Sequence, residues 1–302
     1  MVHLTRRRWL AGGAAGTAAL AAAEAMSLLG VWDHRTAAWP EAGANCPMRD
    51  ASPDAGLLHV GHSTHVIRLG GVQVLTDPWF YDPAFGALVH ERAAACAIEQ
   101  LGGCAGIVIS HGHPDHFDTR ALDRWSTKST TQVLVGDGQL VQRVQQLGFA
   151  QVAHLATWET HSIGPLRIHT VPAVHDVSEQ GFVLETAEHS VYFAGDTGAH
   201  DAFATIAERY HPSFALLPVD GGRLRGSSVR TLTPSEAVTA AQQLGVKGVC
   251  PSHVDARFSD GLAEHVLAQQ IVGAVAAFQN ELAQRLPQVA CHAPRPGQWV
   301  TL

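Results

Sequence analysis

The run Ser110-His111-Gly112-His113-Pro114-Asp115-His116-Phe117-Asp118 packs four good metal ligands, His111, His113, Asp115 and His116, into six residues. It directly follows the apolar stretch Ile107-Val108-Ile109, so it reads as a loop leaving a buried strand. Neutral imidazoles and carboxylates suit zinc and similar divalent ions, and a tight loop can aim several of them at one point with little loss of entropy. The run therefore reads as half of a dinuclear metal site, against the alternative of a solvated histidine-rich loop.

The ligands still needed appear downstream, each where an apolar strand ends. Leu166 to Val171 alternates like a strand and runs into Pro172-Ala173-Val174-His175. Val191-Tyr192-Phe193-Ala194 runs into Gly195-Asp196-Thr197-Gly198, and Val249-Cys250-Pro251 into Ser252-His253. Taken singly, His175 or His253 could be a hydrogen-bonded core histidine, and Asp196 before Thr-Gly a turn residue. Three strand ends offering His175, Asp196 and His253 after the first run make a constellation.

These motifs, in this order and spacing, resemble the metallo-β-lactamase superfamily from about Leu57 to the C-terminus. The resemblance implies that His111, His113 and His175 hold one ion, that Asp115, His116 and His253 hold the other, and that Asp196 bridges them. Gly61-His62-Ser63-Thr64, Leu75-Thr76-Asp77-Pro78-Trp79-Phe80 and Gly181-Phe182-Val183-Leu184 look most like the branch that includes L-ascorbate 6-phosphate lactonases and N-acyl phosphatidylethanolamine phospholipase D. Two departures from that pattern, Asp220 after Leu217-Pro218-Val219 and the Val254-Asp255-Ala256-Arg257 segment after the last ligand, fall where substrate is expected. No thiolate replaces a ligand.

Two divalent ions, zinc first with manganese or iron as alternatives, would hold a water between them and lower its pKa until hydroxide is available near neutrality. One ion would also polarise the bond under attack, and no protein nucleophile is needed. The candidate catalytic residues are Asp115, as a ligand; Asp77, which could accept a hydrogen bond from a ligand imidazole; and His62, which could reach the site from its turn. Trp79, Phe80, Tyr81 and Phe85 are candidates for an apolar wall or lid, against plain core packing. Arg223, Arg225 and Arg230, in a glycine-rich loop after a strand whose end should face the metals, are candidates for an anion clamp, against solvated loop arginines.

The elements that must position these residues are readable from pattern. Leu57 to Val60, Val66 to Leu69 and Val72 to Leu75 read as strands, the last two joined by a Gly70-Gly71 hairpin turn; Val133 to Val135 and Ala215 to Leu217 read as later strands. Helices are expected near 140–147, 203–209, 235–244 and 262–282. Thr233, Pro234 and Glu236 supply N-cap, first-turn proline and capping-box glutamate for the third. The alternation suggests an α/β fold with two sheets face to face and helices outside, the four-layer αββα sandwich that the resemblance implies.

A chain of 302 residues with 46% hydrophobic content can bury a full core. Its net charge of -7 argues against a nucleic-acid partner. Thr5-Arg6-Arg7-Arg8-Trp9-Leu10, followed by an Ala/Gly-rich run to Ala23, resembles a twin-arginine export signal. The mildly hydrophobic run is short for a spanning helix, so residues 1–25 are expected to be cleaved, leaving a periplasmic or secreted protein with no stable membrane span; an uncleaved signal would be an anchor. Residues 26–54 read as a linker or wrapping arm, and 55–302 as the hydrolase domain. Five cysteines show no disulfide framework; Cys96 and Cys104 are near enough in sequence to pair, or to remain free and buried.

The expected function is hydrolysis of an ester-like bond in a small-molecule or lipid-like substrate, with phosphodiesters slightly ahead of lactones and β-lactams. The reading from another class is a non-catalytic protein that uses the cleft to bind a small molecule or metal.

Overall fold

The central strands are almost continuously apolar because both of their faces are covered. In the computed structural model, which describes residues 46–48, 53–224, 226–259 and 268–302, the strands form two seven-stranded sheets. The first runs in the order β18 (Trp299–Thr301), β1 (Gly56–Gly61), β2 (Thr64–Leu69), β3 (Val72–Thr76), β5 (Gly106–Ile109), β6 (Gln132–Val135), β7 (Gln151–Ala153). The second runs β17 (Ala290–Cys291), β14 (Gly248–Ser252), β12 (Phe214–Pro218), β11 (Ser190–Phe193), β10 (Gln180–Glu185), β9 (Leu166–Pro172), β8 (Thr160–Ile163). Two short ribbons, β4 (Leu88–His90) with β15 (Ala256–Phe258) and β13 (Arg223–Leu224) with β16 (Ala268–Gln269), lie outside the sheets.

Alternation along each strand divides the core in three. Val74, Val108 and Leu134 of the first sheet meet Ile168, Phe182, Phe193 and Leu216 of the second in the layer between the sheets. The opposite faces carry Leu75, Ile107, Ile109 and Val133, packed with α1 (Thr119–Asp123) and α2 (Leu140–Gln146). On the far side, Tyr192, Ala215 and Leu217 pack with α3 (Ala202–Tyr210), α4 (Pro234–Leu244) and α5 (Ala274–Arg285). This is the αββα sandwich. The central strands of each sheet are buried on both faces, which is why β5 and β12 are wholly apolar runs.

Local signals behave as their chemistry requires. Gly70 and Gly71 take φ of 56° and 77° in the β2–β3 turn, and Thr233 and Glu236 form a reciprocal capping box at α4. The helix expected near 262–282 differs. Residues 260–267 lie outside those described, Ala268 and Gln269 belong to β16, and the helix begins only after Gly273, whose left-handed φ of 73° redirects the chain.

Cysteine pairing also departs from expectation. Cys96 pairs with Cys46, 50 residues away, while Cys104 is free and buried. The 3₁₀ turn Ile98–Leu101 separates the two near neighbours, and Cys104 packs inward beside Ile98 and Leu101. Of the proposed arm, residues 46–48 touch the domain through this disulfide and through Pro47 O, which accepts from Trp299 Nε1. The remainder of 26–52, the export signal and Arg225 lie outside the described residues. Among the described residues no helix is long and apolar enough to cross a membrane.

Candidate metal centre

β1, β3 and β5 of the first sheet, and β9, β11, β12 and β14 of the second, end at the same edge of the sandwich. Their C-terminal ends deliver, in that order, His62, Asp77, the 110–118 loop, His175, Asp196, Asp220 and His253. The backbone there is tightly constrained. His62, Asp77, Phe85, His253 and Asp255 all have positive φ, between 32° and 61°, a region that side chains other than glycine enter only when the surroundings hold them.

The seven residues expected to bind metal come together as two adjoining clusters, both buried or nearly so. In the first, His113 Nδ1 lies 2.9 Å from His111 Nε2 and 3.2 Å from His175 Nε2, with Asp196 completing the group. Three ring nitrogens converging on one point within hydrogen-bond distance offer a cation several donors at once. In the second, Asp115, His116 and His253 converge with His62, every donor atom within 4.8 Å of the others. Asp196 Oδ2 joins the clusters, at 3.2 Å from His116 Nε2 and 3.0 Å from His253 Nε2. The Nε2 atoms of His62 and His116 and the Oδ1 atoms of Asp115 and Asp196 are buried with no hydrogen-bond partner. Unpartnered donors of nitrogen and oxygen type, converging in pairs of clusters, fit divalent ions.

Around the donors lies a shell that orients them. Asp77 accepts from Ser110 N (2.7 Å) and Ser110 Oγ (2.6 Å) and meets His116 Nδ1 at 2.6 Å, so its carboxylate is committed to holding that ring rather than to a metal. Asp220 does the same for His253, whose Nδ1 lies 3.0 Å from Asp220 Oδ2, while Thr231 Oγ1 and Gly222 N donate to its other oxygen. Asp220 was expected beside substrate; its carboxylate is directed at the His253 imidazole, and the residue also lines a cavity together with Val254, Asp255 and Arg257. In the segment after His253, Val254 O accepts from His62 Nδ1, and Asp255 pairs with His59 and Arg92. His65 lies behind this shell, bonded to His59 and to Ser63 O.

Glu179 was not foreseen. Its Oε1 accepts from Asp196 N at 2.6 Å and lies 3.3 Å from His111 Nδ1, so one carboxylate steadies a ligand from each sheet. Gly195 is required there: a Cβ would come within 2.2 Å of Glu179 Oε1 and 2.8 Å of Ser110 Cβ, at a φ of 65°. The signal available in the sequence was an acidic residue directly preceding the apolar strand β10.

Electrostatics follow from burial and packing. Burial, reinforced by the neighbouring imidazole of His253, lowers His62 to about 4. It also holds His113 well below the ordinary histidine value. For His116 and His253 burial acts the same way, but Asp196 with Asp115 and Asp77, or with Asp220, outweighs it and holds both well above. Burial would raise Asp115 and Asp196; His116, and for Asp196 also His253, overcomes it and keeps both carboxyls well below their usual range.

A cleft opens over Asp115, Asp196, His113, His175 and His253, walled by Phe85, Leu88, Val229 and Phe258, with Asp176 and Arg223 at its margin. Trp79 and Phe80 do not line it. Trp79 is fully buried, stacked on His90 at 3.7 Å and edge-on to His62, because the chain turns inward at Asp77; Phe80 packs in the first sheet's outer core. Of that aromatic segment only Phe85 reaches the cleft. Arg223 Nη2 donates to Gln269 Oε1, and Arg230 is paired with Glu236 at the start of α4.

The profile of the β-lactamase superfamily domain matches residues 73–254. A UPF0173 metal-dependent hydrolase of Pyrobaculum aerophilum is 32% identical over 199 residues, covering 64% of this chain and 81% of that protein. Among solved structures, Igni18, described as a novel metallo hydrolase from the archaeon Ignicoccus hospitalis, aligns over 82% of this chain and 98% of its own with a TM-score of 0.63 at 22% identity. CmlA, a diiron beta-hydroxylase from Streptomyces venezuelae, aligns over 83% of this chain and 55% of its own with a TM-score of 0.60 at 16% identity.

Proposed function

Because the chain belongs to the β-lactamase superfamily and, with its UPF0173 relatives, is a metal-dependent hydrolase, we propose that it holds two divalent ions and hydrolyses an ester-like bond, phosphodiesters ahead of lactones and β-lactams. The observation that carries this reading is the pair of donor clusters joined through Asp196. His111, His113 and His175 would hold one ion, Asp115, His116 and His253 the other, and Asp196 both. Bound there, the ions would activate a water for attack and stabilise the charge that develops on the substrate. Zinc comes first for such nitrogen and oxygen donors, with manganese and iron as alternatives.

The chain's own groups do the rest. Asp77, Asp220 and Glu179 fix the ligand rings so that the donors are arranged before substrate arrives, which removes reorganisation from the reaction step. Phe85, Leu88, Val229 and Phe258 favour a substrate with an apolar portion, and they keep bulk water from that side. Arg223 at the margin supports the preference for an anionic group near the scissile bond. The likeness to the lactonase and phospholipase D branch supports an ester-like bond. Export by the twin-arginine route belongs to the same proposal, and the Cys46–Cys96 pairing supports an oxidising compartment.

The test is a panel of phosphodiesters, lactones and β-lactams with zinc-loaded protein. Turnover of a phosphodiester is expected, abolished by chelation, with Arg223→Ala raising KM for it more than for a neutral ester. Metal-loaded protein inert to the whole panel would favour the non-catalytic binding reading.

A further inference from the structure

We propose that His62 is itself a metal ligand, its Nε2 joining Asp115, His116 and His253 as the fourth terminal donor of the second site. The inference rests on the two-ion reading and deepens it.

His62 is fully buried, and its Nδ1 lies 3.0 Å from Val254 O. A carbonyl oxygen only accepts, so Nδ1 carries the proton and the ring's lone pair is on Nε2. That atom has no hydrogen-bond partner; the acidic oxygen it faces, Asp115 Oδ2 at 3.4 Å, is itself an acceptor. Two acceptors opposed in a buried space repel each other unless a proton or a cation lies between them. His116 and His253 repeat the arrangement, with Nδ1 against Asp77 or Asp220 and Nε2 turned toward the same point. An imidazole whose far nitrogen is anchored to an oxygen acceptor is how proteins orient a metal-binding histidine. The site has three of them.

The backbone agrees. His62 adopts φ of 52°, a conformation unfavourable for a residue with a side chain, and Asp255 beside its anchor adopts 61°. His62 arrives from the first sheet and His253 from the second, their rings 4.2 Å apart. His62 does not line the cleft, whereas Asp115, Asp196 and His253 do. It therefore approaches from the protein side and leaves the cleft side open. With Asp196 the second site would have five protein donors against four for the first, so the second ion would be the more firmly held.

Diffraction at the zinc absorption edge on crystals of zinc-loaded wild-type protein tests this directly. The expected Nε2–zinc distance is about 2.0–2.1 Å. A second ion at full occupancy but more than about 3 Å from that nitrogen overturns the assignment and leaves the two-ion reading standing. Absence of a second ion at saturating zinc overturns both. In solution, His62→Asn preserves a side-chain donor for Val254 O and tolerates the left-handed backbone. Zinc titration should show the second ion weakened by about 10-fold or more with the first unchanged. Since a hydrogen-bonding role could also lower affinity, the cobalt-substituted proteins are compared at saturation. Loss of a ligand alters the visible d–d spectrum, and identical spectra for wild type and His62→Asn would defeat the proposal.

Discussion

Each imidazole of the second cluster has one nitrogen tied down, His62 to Val254 O, His116 to Asp77 and His253 to Asp220, so the other nitrogen is aimed without conformational search. Asp77→Asn and Asp220→Asn keep the size of the side chain but remove the charge that makes the ring a better donor. Each is expected to weaken binding of one ion by about 10–100-fold with the fold intact, measured by competition with a chromophoric chelator. Wild-type affinity in both would show that these carboxylates only fill space. A second consequence is proton release. Asp196, Asp115 and the anchoring carboxylates outweigh burial and hold His116 and His253 protonated beyond the ordinary histidine range in the metal-free protein. Because ligation needs the neutral ring, metal uptake at pH 7 must expel those protons, and affinity must rise with pH until both rings have titrated. Calorimetry in two buffers of different ionisation enthalpy should return different apparent enthalpies; identical values would contradict the assignment.

At the scale of elements, the two donor clusters form because seven strands from two sheets stop at one edge and each leads into a residue of the candidate centre or of the shell around it. A strand buried on both faces holds its end to within the play of a packed core, so loops as short as Gly195-Asp196 suffice. The disulfide acts elsewhere. Cys96 belongs to the outer core of the first sheet, and its bond to Cys46 closes a segment spanning 50 residues. Cys96→Ala is expected to cost about 2–4 kcal/mol of stability, read from urea unfolding at fixed metal, with metal affinity unaltered. An unshifted urea midpoint would mean that the arm contributes nothing to the folded domain's stability.

For the whole molecule, the acidic charge of -7 becomes -9 if residues 1–25 are removed, since three arginines and Glu24 go with them. Export in the folded state would let metal be loaded before translocation. Replacing Arg6 and Arg7 by Lys keeps the charge but removes the pair that the export receptor reads, and fractionation is expected to find the variant retained in the cytoplasm. Undiminished export would rule out the twin-arginine route.

The residues that converge in the two clusters were legible in the sequence for one physical reason: a metal site demands a few residue types, and here the candidates follow the ends of apolar strands, so composition and periodicity mark the same positions. The αββα layering followed from the alternation of strands and helices together with the family resemblance, and the α4 start from a capping box whose chemistry is entirely local. What depended on contacts between distant parts of the chain was not legible. Glu179 meets His111 and Asp196 only because the two sheets face each other, and Asp220 reaches His253 only because β12 and β14 are neighbours. Cys96 is nearer Cys104 in sequence but meets Cys46, because the pairing depends on where residues 46–48 lie against the domain and not on spacing along the chain. Trp79 follows Asp77 closely enough to suggest a cleft wall, yet the positive φ of Asp77 turns it into the core against His90, and Phe85 takes the cleft instead. Residue types carry the chemistry of the metal site, but which side chains stand behind the ligands is set by packing across the sandwich.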